Sequence, residues 1–258
     1  MRRNKVFEPA LTALLGAIIL AMSLIPQIGF LTVIPGVISI TLVHIPVLVG
    51  VFLVRAKYSA VLGGIFGIGS LLAALIYAVS PLDQAFIYPW ISILPRILFG
   101  LIAFYLIDVL KKVGNFKFGK EILFITVTIV TAVGLYFGMR ALAIYMNYPD
   151  FLPIVNYIII PIVLLLGGLF FIIIRKYNDF AYIPATIVIA TFIHTIIVLG
   201  TIGLLRPTAF VQLVGGNYTV MVVIFIIALT NGLVEAVVAA LVGTPIVMAS
   251  LKKLESEE

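Results

Sequence analysis

Ionisable side chains are rare in this sequence, and five of them fall inside long apolar stretches: His44, Arg96, Arg140, His194 and Glu235. Burying a charge in hydrocarbon costs several kcal/mol, so each of these residues is a candidate for function. Asn231 precedes Glu235 by one helical turn, which places the two side chains on one helix face. Together these residue types predict a polar cavity that binds a small solute.

Arg96 is the strongest candidate for contact with that solute. Its guanidinium group presents a rigid fork of N–H donors that matches a carboxylate, and Pro95 constrains the first turn of its helix. The rise of an α-helix places Arg96 and both histidines in the outer half of the membrane, and Glu235 nearer the cytoplasm. The sequence therefore predicts a carboxylate-bearing ligand that enters from outside.

Each of the other candidates also has a structural explanation. Arg140 can extend its side chain to the outer membrane surface, and a histidine on an apolar helix often serves only in packing. Tyr88 and Trp90 lie next to the predicted cavity, where they either contact the ligand or belong to the interfacial aromatic belt. Glu235 with Asn231 either stabilises a polar network or contacts the ligand.

Catalysis would need a nucleophile, and Ser70 in Gly67-Ile-Gly-Ser70 is the one candidate, with His194 as its base. Serine on a glycine-rich membrane helix is ordinarily a packing residue, so no enzyme is predicted. The sequence contains no cysteine, which excludes disulfides, thiolate metal sites and a cysteine nucleophile. No metal site and no cofactor held by this chain are predicted.

The composition indicates which environment surrounds these residues. Hydrophobic residues make up 64% and charged residues 10% of the 258 positions, whereas soluble domains carry about 25% charged residues. Most of the surface must therefore face lipid. The net charge of +6 comes from short clusters between apolar runs, as the positive-inside rule describes, and nucleic-acid binding is not expected.

Eight apolar segments are long enough to cross the membrane, since a span needs about 20 residues. They cover residues 8–30, 37–54, 57–79, 91–113, 121–146, 153–175, 180–204 and 218–250. The basic clusters place both termini in the cytoplasm. A cleaved signal peptide at the N-terminus is the alternative for the first segment. The sequence thus predicts an all-α, polytopic transmembrane helix bundle that forms a single integral membrane domain, residues 1–258.

Small residues form faces on two of the predicted helices. Ala13, Ala17 and Ala21 recur every four residues, and the third segment contains Gly63, Gly64, Gly67 and Gly69. Such faces let membrane helices approach closely. From the sequence alone, the alanine stripe is either packed within the bundle or docked on a partner protein.

Four motifs, in this order, resemble the substrate-binding subunits (S-components) of energy-coupling-factor (ECF) vitamin transporters. They are Ile40-Thr-Leu-Val-His-Ile-Pro-Val-Leu-Val-Gly50, the Gly-rich helix at 63–71, Leu94-Pro-Arg-Ile-Leu-Phe-Gly100 and Thr230-Asn-Gly-Leu-Val-Glu-Ala236. The resemblance covers about 1–113 and 180–254 as a six-helix core, so residues of about 114–179 would be an inserted helical hairpin. His194 departs from the asparagine expected at its position.

The resemblance implies a subunit in the bacterial plasma membrane that captures a vitamin or related micronutrient at the outer side and delivers it inward. It implies docking of the alanine stripe on a transmembrane coupling protein, and ATP hydrolysis by two partner ATPases. This chain has no Gly-x-x-x-x-Gly-Lys-Ser/Thr phosphate loop of its own. The residues expected to bind substrate are His44, Tyr88, Trp90, Arg96, His194, Asn231 and Glu235.

One cation in the outer cavity suits a ligand with one carboxylate plus hydroxyls or amides, so pantothenate is the first expectation and folate or riboflavin the next. A stand-alone secondary transporter of a small organic solute is the alternative function. Such transporters commonly contain inverted repeats and midplane ion sites. This sequence shows no repeat, and Glu235 is the one acidic residue more than five positions from the end of a predicted span.

Overall fold

The computed structural model describes residues 6–34, 38–145, 151–176, 180–214 and 219–256. The elements of these ranges follow one another as α1 (Phe7–Leu24), β1 (Phe30–Ile34), β2 (Ile38–Thr41), α2 (His44–Leu53), α3 (Ala56–Tyr77), α4 (Pro81–Ala85), α5 (Pro89–Ser92), α6 (Leu94–Gly114), α7 (Gly119–Tyr145), α8 (Phe151–Lys176), α9 (Tyr182–Leu205), α10 (Thr208–Val214), α11 (Val220–Ile227), a π-helical turn (Ala228–Gly232) and α12 (Leu233–Ser256). The predicted first residues of the second and eighth spans, 37 and 218, lie outside the described residues, as does residue 146 at the end of the fifth.

Long apolar helices dominate this part of the chain. Within the described ranges, six helical stretches have the length and composition to cross a membrane: Phe7–Leu24, Ala56–Tyr77, Pro89–Gly114, Gly119–Phe137, Tyr182–Leu205 and Val220–Ser256. Three of them, Ala56–Tyr77, Pro89–Gly114 and Tyr182–Leu205, coincide with predicted spans to within two residues. The prediction of a helical multi-pass bundle is confirmed at this level, while the count of eight spans and the side on which the termini lie stay predictions.

The first two predicted spans are wrong in detail. Helix α1 ends at Leu24 rather than Phe30, and α2 is a ten-residue helix that begins at His44. Between them β1 and β2 form an antiparallel hairpin in which Phe30 pairs with Thr41. At about 1.5 Å per residue, α2 reaches only about half of a bilayer's ~30 Å hydrocarbon core. The run is rich in β-branched residues, which favour strands.

The edge of a two-stranded hairpin needs partners, because unsatisfied backbone groups are costly inside a membrane protein. The amide of Thr41 donates to Oε1 of Glu235 over 2.7 Å, and the amide of Leu42 donates to the Gly29 carbonyl over 2.7 Å. Gln27, in the turn that leads from α1 to β1, has a φ of 62°. The hairpin is thereby anchored to α12 by Glu235, one of the ionisable residues within the apolar stretches of the sequence.

Helices α3 and α6 cross at a face made of glycine. A Cβ on Gly63 would overlap the Arg96 carbonyl, one on Gly67 would lie 2.6 Å from Cα of Ile93, and one on Gly100 would overlap the Ser59 carbonyl. Only glycine allows the two backbones to come this close. The glycine-rich face thus packs inside the bundle, where it positions the helix that carries Arg96.

Helix α1 packs on the bundle through one side only. Thr12, Leu15 and Ile19 are buried. The side chain of Glu8 is 2% exposed, and its Oε2 forms a 2.6 Å ion pair with Nε of Arg55. Ala13, Ala17 and Ala21 all lie on the exposed side. Among the residues that the structure describes, the alanine stripe is therefore not a packing face of the bundle.

Helices α7 and α8 form the hairpin that the sequence places at about 114–179. Helix α8 packs mainly against α7, whereas α7 also contacts α9, α12 and the π-helical turn. A Cβ on Gly134 of α7 would lie 2.6 Å from Cβ of Leu233. The hairpin consequently supports the chain segment that bears Asn231 and Glu235.

Candidate ligand-binding cavity

A cavity of about 480 Å³ opens among the hairpin, α3, α4, α6, α9 and α12. Its volume falls in the range of small-molecule sites, about 300–1,000 Å³. The polar part of its lining consists of Gln27, Thr41, Ser70, Tyr77, Ser80, Asp83, Arg96, His194, Thr195, Asn231 and Glu235. The apolar part consists of Pro26, Phe30, Ala73, Ala74, Ala78, Val79, Leu82, Phe86, Val198, Leu199, Ile202 and Ile227.

Arg96 is held rigidly at this cavity although it is only 3% exposed. Its Nη1 donates to the Ile91 carbonyl over 2.7 Å, and its Cζ lies 4.5 Å from the ring centroid of Phe86 and 5.5 Å from that of Phe66. Nε is buried and has no hydrogen-bond partner among the described residues. A guanidinium with one protein hydrogen bond and an unpartnered N–H has donors left for a ligand.

Glu235 lines the same cavity as Arg96. It is 7% exposed and accepts the Thr41 amide, and the described residues show no ion pair between it and Arg96. The helix that carries it contains the π-helical turn Ala228–Gly232 directly before α12. Such turns insert a residue into a helix and are frequent at functional sites; this one contains Asn231, which also lines the cavity.

His194 and His44 form a buried pair beside Arg96. Their ring centroids are 6.1 Å apart with an interplanar angle of 21°, and Phe99 lies 4.6 Å from His194. His194 reaches the cavity lining, whereas His44 lies behind it and is fully buried. Both imidazole nitrogens of His194 are buried and have no hydrogen-bond partner among the described residues.

Three other candidates lie away from the cavity lining. Trp90 is 54% exposed and its ring centroid is 5.5 Å from that of Tyr88, which in turn lies 4.6 Å from Cζ of Arg206. Arg140 lies over the ring of Tyr136 at 5.3 Å on α7. The structure thus brings together four of the seven predicted substrate-binding residues, namely Arg96, His194, Asn231 and Glu235.

The sequence reasoning missed several residues of the lining. Thr41 lies within the motif at 40–50, but its part in the hairpin was hidden by the prediction of a helix there. Ser80 and Asp83 form a capping box at the start of α4, with a 3.1 Å bond from the Asp83 amide to Oγ of Ser80. That Ser-Pro-x-Asp pattern is readable from the sequence. Phe86, which stacks on Arg96, carries no such signal.

Ser70 and His194 both line the cavity. A nucleophile and its base must lie within hydrogen-bond reach of each other. Within the described residues no hydrogen bond joins this pair, since both His194 nitrogens are unpartnered. The arrangement offers binding groups rather than an assembled nucleophile.

The fold and the cavity define a helical, multi-pass membrane protein with a cavity of small-molecule size among its helices. In comparisons with known proteins, no family model matches this sequence and no curated protein matches it.

Proposed function

We propose that this chain is the substrate-binding subunit of an ECF-type importer in a bacterial plasma membrane, and that it captures a vitamin-like micronutrient. The observation that carries the proposal is the cavity itself, which is small-molecule sized and lined by a buried arginine with an unpartnered N–H. A carboxylate in contact with Arg96 would receive charge-assisted hydrogen bonds, which are about twice as strong as neutral ones. Pantothenate comes first among the substrates proposed, followed by folate and riboflavin.

The exposed alanine stripe supports the part of the proposal that concerns docking on a coupling protein. In lipid, a smooth face of small residues gives a partner helix close approach, and Ala13, Ala17 and Ala21 all lie on the outer side of α1. A transmembrane coupling protein would dock there, and two partner ATPases would supply the energy for release of the substrate inside.

Ligand binding is tested on the chain purified in detergent, titrated with B vitamins while its thermal stability is recorded. A ligand that binds only the folded state stabilises it by about 2.7 kcal/mol at a hundredfold excess over its Kd. Co-purification of a coupling protein with two ATPases, from cells that express the tagged chain, tests the partners. The absence of both binding and co-purification would contradict the proposal.

Replacing Ala17 with tryptophan should block docking without disturbing the cavity. The bulky ring would separate the two helix backbones, so recovery of the coupling protein should fall about tenfold or more, which corresponds to at least about 1.4 kcal/mol. Ala249→Trp is the matched control, because Ala249 is exposed on a different helix. Normal recovery with Ala17→Trp, or an equal loss with Ala249→Trp, would rule out this face.

One observation favours the alternative of a stand-alone secondary transporter. Glu235 lines the cavity together with Arg96, and carboxylates inside membrane proteins often serve in ion or proton coupling. Uptake of solute by proteoliposomes that contain this chain alone, driven by a proton or sodium gradient, would establish the alternative. An absolute requirement for partner ATPases and ATP would exclude it.

A further inference from the structure

The cavity lining contains a buried arginine and a buried carboxyl group, two groups that can carry opposite charges. Arg96 and Glu235 both line it, they are 3% and 7% exposed, and no ion pair joins them among the described residues. A buried ion pair normally forms when two such groups can meet, because an isolated buried charge is costly. The two groups are instead held apart by contacts with other elements.

Each charge is fixed by a different anchor. Arg96 is bound by the Ile91 carbonyl and by the faces of Phe86 and Phe66. Glu235 is bound by the Thr41 amide of the hairpin. Neither anchor carries a charge, so the two side chains present a positive and a negative pole to the same enclosed space.

A simple monoanion satisfies only one of these poles. Its carboxylate would bind Arg96 but would add a further negative charge to a cavity whose lining already contains two carboxyl groups, Glu235 and, in the α4 capping box, Asp83. Like charges repel strongly where the effective dielectric constant is low. A solute that carries a protonated amine as well as an anionic group would satisfy both poles.

We propose that the cavity binds a zwitterionic solute, with its carboxylate or phosphate on Arg96 and its protonated amine on Glu235. The side-chain carbonyl of Asn231, one turn from Glu235, is a further acceptor for the amine. The inference rests on the proposed function, since it names the substrate class of the same cavity, and it favours amine-bearing micronutrients over pantothenate. Glu235 is then the residue that selects for the amine.

The test compares amine-bearing compounds with partners in which the amine is absent or is replaced by a hydroxyl. Suitable pairs are γ-aminobutyrate and butyrate, phenylalanine and phenylpropionate, and pyridoxamine phosphate and pyridoxine phosphate, with pantothenate as a monoanion reference. Calorimetric affinities are measured for the wild type and for Glu235→Gln. Glutamine retains an oxygen that can accept the Thr41 amide, so the hairpin contact survives while the charge is removed. Glu121→Gln, at an exposed position in the first turn of α7, is the matched control.

The expected result is that the amine-bearing member of at least one pair binds about tenfold or more tighter in the wild type, as charged hydrogen bonds allow. That preference should vanish in Glu235→Gln and persist in Glu121→Gln. The proposal is overturned if no pair shows a preference for the amine, or if the preference persists undiminished in Glu235→Gln.

The importer proposal and the zwitterion proposal can be rejected independently of each other. Binding of pantothenate that depends on Arg96, together with co-purification of a coupling protein, would retain the importer and reject the zwitterion. An amine preference that depends on Glu235, in a chain that transports without ATPases, would retain the zwitterion and reject the importer.

Discussion

Replacing Arg96 with lysine should weaken binding of the tightest ligand about 10- to 100-fold, while the protein stays folded. The guanidinium offers a planar fork that stacks between two phenyl rings and retains donors for a ligand. Lysine keeps the charge but loses both the fork and the stacking. Loss of a charge-assisted hydrogen bond costs about 1.5–3 kcal/mol, which gives this range of affinity. The measurement is a calorimetric Kd for whichever panel compound stabilises the wild type most.

The control for this experiment is Arg140→Lys. Arg140 belongs to α7, packs over Tyr136 and does not line the cavity, so its replacement should leave the Kd unchanged. The thermal midpoint of each variant, recorded without ligand, separates a loss of binding from a loss of folding. If Arg96→Lys binds normally, or if Arg140→Lys loses the ligand instead, Arg96 is not the anion site.

Replacing Gly63 with alanine should destabilise the bundle by about 3 kcal/mol or more, a cost at the upper end of that measured for overpacked sites. The added Cβ would overlap the carbonyl oxygen of Arg96, which is backbone and cannot rotate away. Helices α3 and α6 would have to separate, and the separation would displace Arg96 from its two phenyl rings. Ligand affinity should therefore fall together with the thermal midpoint.

Gly64→Ala provides an adjacent control on the same helix. A Cβ at Gly64 would lie 3.6 Å from Cγ1 of Ile97, an ordinary van der Waals contact. Alanine is also a better helix former than glycine by about 1 kcal/mol, so this variant should be as stable as the wild type or more so. Equal stability of Gly63→Ala and Gly64→Ala would show that the α3–α6 crossing tolerates a Cβ.

The membrane-spanning helices could be predicted because apolar length is a local property. Helices α3, α6 and α9 were expected at 57–79, 91–113 and 180–204, and they are found at Ala56–Tyr77, Leu94–Gly114 and Tyr182–Leu205. A run of about 20 apolar residues between charged clusters has few other stable conformations in lipid. Arg96 and Glu235 could be singled out as candidates for the same reason, since charge is rare in such runs, and both line the cavity.

The hairpin could not be predicted in this way. A run of apolar β-branched residues is compatible with a membrane helix and with a strand, and the choice depends on whether the strand edge finds partners. Here one partner is Glu235, which lies 194 positions further along the chain from Thr41. The π-helical turn has a similar origin, because Gly232 meets Thr195 of α9 and Leu233 meets Gly134 of α7.

By itself, the sequence determined that this is a helical membrane protein with a few costly polar residues. The tertiary structure alone decided that Arg96 and Glu235 share a cavity without forming an ion pair, that His44 lies behind His194, and that the alanine stripe faces outward. The sequence determines the membrane helices because the length of such a helix depends on the hydrophobicity of consecutive residues along the chain. The meeting of two side chains depends instead on how closely their helices approach, and in this bundle glycine contacts between α3 and α6 set that distance.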